Sequence, residues 1–331
     1  GGIFYALAKM IIDDGGVVFG AKFNENWEVV HDYAETLEEV KAFQGSKYVQ
    51  SQIGETFIQA ETFLKAGRKV MFTGTPCQIK ALGLFLRKDY GDKLLKVDVV
   101  CHGVPSPLVW KEYLKYITRP KGASDGKNTV FVSLKEQPVL TGISFRDKRL
   151  RWEKYGFSVR VAASKASGKN SVFQSVDVKS EDRELFFETL DKNLFMSIFL
   201  NNLCLRPSCF ECPARSGRAG SDISLADYWG IWRIDRQLYD PKGVSLVLAN
   251  TEHGMHALET IEIDLHFTDY ADALRYNPAI EHNPKENAST AAFWQQFAEG
   301  GFPAIVTLAN AQLPSLLTRI IGGLKSIVRR I

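Results

Sequence analysis

The residues of this sequence best suited to chemistry are its cysteines. Cys204, Cys209 and Cys212 fall within nine residues, and the last two form a C-x-x-C in Pro207-Ser-Cys-Phe-Glu-Cys212-Pro213. That spacing lets two thiolates of one short loop face one centre, as metal ions and iron–sulfur clusters require. A redox dithiol uses the same spacing but opens a helix after a strand. Here the pair follows a long apolar-aromatic run and is bracketed by prolines, which predicts a loop carrying metal or cluster ligands. The other two cysteines sit in turns, Cys77 in Gly74-Thr-Pro-Cys-Gln78 and Cys101 in Cys101-His-Gly103. Free cysteines are often small buried hydrophobes, but a Gly/Pro turn just past a strand is a place for ligands.

The elements that must position these thiols follow from periodicity. Ile3 to Ile12 repeats apolar residues at helical spacing and stops at Asp13-Asp-Gly-Gly16. Val17 to Phe23 and Trp27 to His31 read as a hairpin, and Leu37 to Phe43 as a short helix. Two similar units come next. Glu55 to Ala66 is amphipathic, Lys69 to Thr73 is a buried strand, Ile79 to Arg87 a helix, Leu94 to Val100 a second buried strand, and Pro107 to Tyr116 a further helix. A strand–helix–strand crossover of this length makes the strands parallel neighbours. Their ends then share the sheet edge where open α/β folds hold ligands, and Cys77 and Cys101 lie just beyond those ends. With Cys209 and Cys212 they would supply four thiolates to one place.

The 331-residue chain is long enough for one large or two smaller domains. A net charge of +3 with scattered basic residues gives no argument for a nucleic-acid partner. An odd cysteine count with no signal-like start suits a reducing, cytoplasmic setting. No run of eighteen apolar residues exists to span a membrane. The chain opens at Gly1-Gly2 already inside a helix pattern, as a piece of a longer protein would.

The motifs fall in a familiar order. Gly-Ser-Lys-Tyr-Val-Gln-Ser (45–51), Gly-Thr-Pro-Cys-Gln (74–78), Cys-His-Gly-Val-Pro-Ser (101–106), Ser-Phe-Arg-Asp-Lys (144–148), Pro-Ser-Cys-Phe-Glu-Cys (207–212) and Ser-Asp-Ile-Ser-Leu-Ala-Asp-Tyr-Trp-Gly (221–230) together resemble the coenzyme F420 hydrogenase/dehydrogenase beta subunit family, from the first residues to about Asn283. The resemblance implies a flavin–iron–sulfur oxidoreductase subunit with FAD and one 4Fe–4S cluster. Such a subunit passes electrons between a hydride-carrying cofactor or substrate, F420 in relatives, and a redox partner protein or iron–sulfur subunit. Carried over by motif, Cys77, Cys101, Cys209 and Cys212 are the cluster ligands and Cys204 is spare. Gly1, Gly2, Ser46, Lys47, Tyr48, Gln50, Ser51, Gly74, Thr75, Pro76 and Arg146 are candidate FAD contacts. On residue type alone the 45–51 loop reads as a plain connection rather than a contact to an anionic cofactor, and Arg146-Asp-Lys148 as a charged turn or a holder of phosphates. Many relatives carry an N-terminal ferredoxin-like segment that this sequence lacks, and some occur in bacterial polysaccharide-biosynthesis clusters, where the carrier need not be F420.

The remainder predicts a mixed α+β architecture. Parallel βαβ units over 1–118 are followed by an antiparallel insertion (Thr129 to Ser133, Thr141 to Phe145, Tyr155 to Val161) and helical segments over 119–300. A basic amphipathic tail at 301–331 suits a membrane surface, a partner or an internal contact. Glu181 to Leu203 predicts one long helix delivering the cysteine loop. Asp227, beside Tyr228 and Trp229, is a candidate proton donor or acceptor near a flavin, or a turn cap. Two other classes compete: a zinc-stabilised binding module on the same four cysteines, and a hydrolase or transferase using Cys101 and His102. Neighbours on a strand point to opposite sides, which makes the second pairing poor.

Overall fold

The structure, a computed structural model, describes residues 2–119, 138–162 and 182–313. In chain order, α1 (Gly2–Asp13) ends where Gly15 takes a positive φ. The strands β1 (Val17–Phe23) and β2 (Val29–Ala34) form an antiparallel hairpin. The short α2 (Leu37–Val40) begins at Thr36, whose hydroxyl accepts from the Glu39 N–H. After it come α3 (Thr56–Lys65), β3 (Val70–Gly74), α4 (Pro76–Leu86), β4 (Leu94–Val99) and α5 (Pro107–Thr118). Then follow β5 (Leu140–Asp147), β6 (Gly156–Ala162), β7 (Asp182–Thr189), α6 (Leu194–Leu200), β8 (Ile223–Asp227), α7 (Ile231–Ile234) and β9 (Ser245–Ala249). The helices α8 (Glu252–Thr260), α9 (Tyr270–Tyr276) and α10 (Thr290–Ala311) complete the described chain, α10 breaking at Gly300 and Gly301.

The chain divides into two compact units. The first comprises 1–107, 151–153 and 205–286, and holds a six-stranded sheet in the order β2-β1-β3-β4-β8-β9. Its β1, β3, β4 and β8 are parallel, while β2 and β9 run antiparallel at the edges. Alternate residues of the central strands serve two separate cores. Val18, Met71, Leu95 and Val97 pack with Leu7 of α1 and Leu258 of α8. Val17, Phe19, Val70 and Phe72 pack with Leu64 of α3 and Ile79 and Leu82 of α4. Burial on both faces is why these strands read as unbroken apolar runs. The parallel arrangement sends the C-terminal ends of β3, β4 and β8 to one edge.

The second unit comprises 108–150, 154–204 and 287–331. Within it β5, β6 and β7 form an antiparallel sheet. Trp110 of α5 packs against Phe145 and Phe195 at centroid distances of 4.9 and 5.1 Å, and Tyr113 against Phe302 of α10 at 5.1 Å.

Three local expectations change. Glu181 to Leu203 is not one helix: it is strand β7, a turn, and the short α6. Leu185-Phe-Phe187 satisfies either period, and cross-strand pairing with β6 selects the extended form. Asn193 then starts α6 afresh, its side chain accepting from the Met196 N–H. Arg146 and Asp147 belong to the end of β5 rather than to the turn beyond it. The helix expected from Ile79 begins at Pro76, so Cys77 lies within its first turn. The strand expected at 129–133, the tip at 163–170, Gly1 and the tail from 314 lie outside the described residues. Among the described residues no helix is long and apolar enough to cross a membrane.

A glycine fixes the turn after β8. Gly230 has φ 80°, and a Cβ there would stand 2.1 Å from Cγ of Tyr276. Gly230→Ala combines an unfavourable φ with a clash against a ring, and is expected to cost roughly 3 kcal/mol or more in urea unfolding.

Candidate functional site

All four predicted ligand cysteines lie in the first unit, on three segments that hydrogen bonds join. Cys77 sits in the first turn of α4 and Cys101 two residues past β4. Cys209 ends a 3-10 turn, Pro207–Cys209, and Cys212 follows in the same loop. The Arg206 N–H donates to the Val104 carbonyl at 2.9 Å, and Pro105 and Leu205 form an antiparallel bridge. Gly103, at φ 149°, allows this approach: a Cβ there would meet Leu205 Cδ1 at 2.8 Å and Cys209 Cβ at 3.5 Å. Lys80 Nζ of α4 donates to the Pro213 carbonyl at 3.0 Å, beside Cys212. Arg215 forks between two carbonyls, Nη2 donating to His102 O at 3.0 Å and Nη1 to Ala279 O at 2.5 Å.

The thiols act on one another. Burial pushes the Cys101 thiol up to about 12, with Cys209 and then Cys77 adding to the rise and Arg215 opposing it. Burial also raises Cys209; the Val104 backbone hydrogen bond opposes this, and Cys77 and Cys212 add to it. Each of the four cysteines therefore lies within electrostatic reach of another. Cys204, by contrast, is fully buried in the second unit. Among the described residues no three His, Cys, Asp or Glu side chains gather tightly enough to hold one metal ion. A tetrahedral zinc would need all four sulfurs about 2.3 Å from one centre. A cubane cluster puts its ligand sulfurs on separate irons and so spreads them.

Beside Cys101 the same unit opens into a cleft of about 1450 Å³, above the roughly 300–1000 Å³ of ordinary ligand pockets. Gly2 of α1, Pro76 of α4, Asp98, Ser224 and Tyr228 share its wall with Cys101. Two wall residues, Asp98 and Arg215, lie outside every motif of the sequence. Asp98 is 4% exposed; its Oδ2 accepts from Ser221 at 3.1 Å, while Oδ1 is buried with no partner among the described residues. Burial holds its carboxyl above the usual range, against hydrogen bonds from Ser224 and Ser221. Arg215 is 5% exposed, and its Nε is likewise buried without a partner. Asp98 left one trace in the sequence, a lone carboxylate within the apolar run of β4, whereas nothing marks Arg215.

The remaining predicted residues divide. The 45–51 loop joins the site, the Gln50 N–H donating to the Pro105 carbonyl at 3.1 Å. Ser51 and Thr75 engage protein groups: Ser51 Oγ lies 2.8 Å from His31 Nδ1, and Thr75 Oγ1 lies 3.2 Å from Cys77 Sγ. Gly74 is a spacer, since a Cβ there would meet Gln78 Oε1 at 3.0 Å and His31 Nε2 at 3.5 Å. Ser46 is exposed and Tyr48 half-buried. Arg146 belongs to the second unit, its guanidinium 4.2 Å from the centre of the Tyr155 ring. Asp227 ends β8, and strand alternation puts it with Ile223 and Leu225 and opposite Ser224.

Lys47 is turned inward, Nζ donating to the carbonyls of Phe43, Gln44 and Gly45 at 3.4, 3.1 and 3.3 Å. Burial lowers its ammonium from 10.5 to about 8. Between those values the unfolded chain binds the extra proton, so stability rises as pH climbs from about 8 to 10.5. The effect is at most about 3 kcal/mol, and less because the side chain is only half-buried. Lys47→Met is expected to flatten that rise, read as the urea midpoint against pH beside the unmodified chain.

Against known families, residues 67–133 match the model for the C terminus of the coenzyme F420 hydrogenase/dehydrogenase beta subunit. That stretch is F420 hydrogenase beta-subunit-like. It spans β3, α4, β4 and α5, and therefore both sheet-edge cysteines, Cys77 and Cys101. No curated protein matches the chain. Among solved structures, a chain of the F420-reducing [NiFe] hydrogenase complex from Methanosarcina barkeri, studied by xenon derivatization, is similar at 16% identity and a TM-score of 0.44. The likeness covers 78% of this chain and 71% of that one, and is too slight to bear on function.

Proposed function

We propose that this chain is a flavin- and iron–sulfur-dependent oxidoreductase subunit. Cys77, Cys101, Cys209 and Cys212 hold one 4Fe–4S cluster, and FAD lies in the cleft beside Cys101. Electrons pass between a hydride carrier of the F420 type and a redox partner protein in the cytoplasm. What supports the proposal is the placement of Cys77, Cys101, Cys209 and Cys212 on three segments of one unit that hydrogen bonds join, with Cys101 in the wall of a large cleft.

When bound, the flavin supplies the exchange between two-electron hydride and one-electron traffic. The chain's own part is placement and charge. The thiolates fix the cluster at the sheet edge, and Arg215 sets a buried positive charge beside Cys101. The first turn of α1 at Gly2 gives the cleft wall backbone N–H groups suited to a pyrophosphate. Asp98 offers a buried carboxyl to a ring N–H. A nucleophilic role for Cys101 fits poorly, because an activated thiol needs its pKa lowered and this one is raised. The basic tail is assigned to a partner or membrane-surface contact.

Anaerobic purification followed by iron, sulfide and flavin assays tests the proposal. About four iron, four sulfide and one FAD per chain are expected. A colourless protein with one zinc and no flavin would replace it with the zinc-stabilised module.

A further inference from the structure

A continuous line of hydrogen bonds runs from the buried His31 to the Cys77 sulfur, across four elements of the first unit. His31 Nε2 is 3.0 Å from the Thr73 carbonyl, which can only accept, so Nε2 carries a proton. Burial lowers the pKa of this ring, consistent with a neutral imidazole whose Nδ1 accepts from Ser51 Oγ at 2.8 Å. Ser51 Oγ in turn accepts from Gln78 Nε2 at 2.8 Å. The amide orientation of Gln78 is fixed at its other end, where Oε1 accepts from the Thr75 N–H at 2.9 Å. Thr75 Oγ1 is the last member, 3.1 Å from Gln78 Oε1 and 3.2 Å from Cys77 Sγ.

The Thr75 hydroxyl has one proton and two neighbouring acceptors. While Cys77 is a thiol, its S–H donates to Oγ1 and the hydroxyl proton turns to Gln78. When Cys77 binds iron, the thiol proton leaves to solvent and the sulfur can only accept. The hydroxyl is then the one donor between them, and Gln78 Oε1 still holds the Thr75 N–H. Gly74 leaves the space for this packing, since a Cβ there would press on Gln78.

We propose that Thr75 is a positioning residue for the Cys77 ligand: with its backbone N–H held by Gln78, itself fixed by Ser51 and His31, Thr75 donates its hydroxyl to the metal-bound sulfur and raises the reduction potential of the cluster. The proposal rests on the cluster reading above. A hydrogen bond to a ligand sulfur stabilises the more negative, reduced state, which gives the sign of the effect. It also gives Ser51 and Thr75 a role other than flavin contact.

The test is an EPR-monitored redox titration of the reconstituted full chain and its Thr75→Val, Thr75→Ser and Ser51→Ala variants, with iron and sulfide measured on each. Thr75→Val is expected to shift the potential downward at unchanged iron content, and Thr75→Ser to restore it. Ser51→Ala, which loosens Gln78, is expected to give a smaller downward shift. Equal potentials in the unmodified chain and in every variant that holds iron would overturn the proposal. If Thr75→Val does not take up iron, Thr75→Ser and Ser51→Ala decide it: the former at the unmodified potential and the latter below it supports the role. An unmodified chain without iron, sulfide or signal would remove the cluster reading itself, a different failure.

Discussion

Cys101→Ser is expected to leave the chain folded and without its cluster, iron falling from about four per chain to below about one. Cys101 lies in the cleft wall and is influenced by both Cys209 and Cys77. A serine hydroxyl in its place is shorter and harder, and holds iron poorly against three remaining thiolates. The fold has little reason to fail, because serine is nearly the size of cysteine and the turn is held by backbone bonds. An apo melting temperature within a few degrees of the unmodified protein is therefore expected. Cys204→Ser is expected to behave in the opposite way. Its side chain is fully enclosed, so a polar replacement destabilises by about 1–2 kcal/mol while iron content stays at the unmodified level. Iron assays and melts on the pair separate a ligand from a core thiol. Iron loss in Cys204→Ser alone would make it the substitute ligand in place of one of the four.

What the sequence disclosed, it disclosed through local pattern. Strands β3 and β4 are buried on both faces, so each writes a continuous apolar run that ends in a Gly/Pro turn. The parallel crossover then puts Cys77 and Cys101 at one edge. Strand β7 was hidden because Leu185-Phe-Phe187 fits a helical or an extended period, and only pairing with β6 decides between them. The polar network could not be seen at all. His31 meets Thr73 across 42 positions, and Ser51 meets Gln78 across 27. No spacing rule links such residues; the motif resemblance makes Ser51 and Thr75 candidate flavin contacts but gives no sign of the bonds between them. Asp227 is marked by its aromatic neighbours, whereas Asp98, a buried carboxyl of the cleft wall, lies in a mostly apolar strand run.

Arg215→Ala is expected to cost about 2–4 kcal/mol of apo stability, because it removes a buried, charged hydrogen-bonding fork. The guanidinium joins two otherwise separate pieces of the first unit, the Cys101 turn through His102 O and the 278–280 turn through Ala279 O. At 5% exposure, water does not readily take over either carbonyl. Arg215→Lys is expected to recover less than half of the loss, since one ammonium lacks the planar fork that reaches both carbonyls. A second effect distinguishes charge from packing. Arg215 opposes the upward shift of Cys101, so it stands near enough to favour negative charge there. Removing it should lower the cluster potential, and Lys, which keeps the charge, should restore the potential better than it restores stability. Urea unfolding of the apo protein with redox titration of the loaded one measures the two separately. If both variants unfold at the unmodified midpoint, the fork is not what holds the Cys101 turn in place. If stability falls while the potential stays put, Arg215 is a brace for that turn and contributes nothing to the charge of the centre.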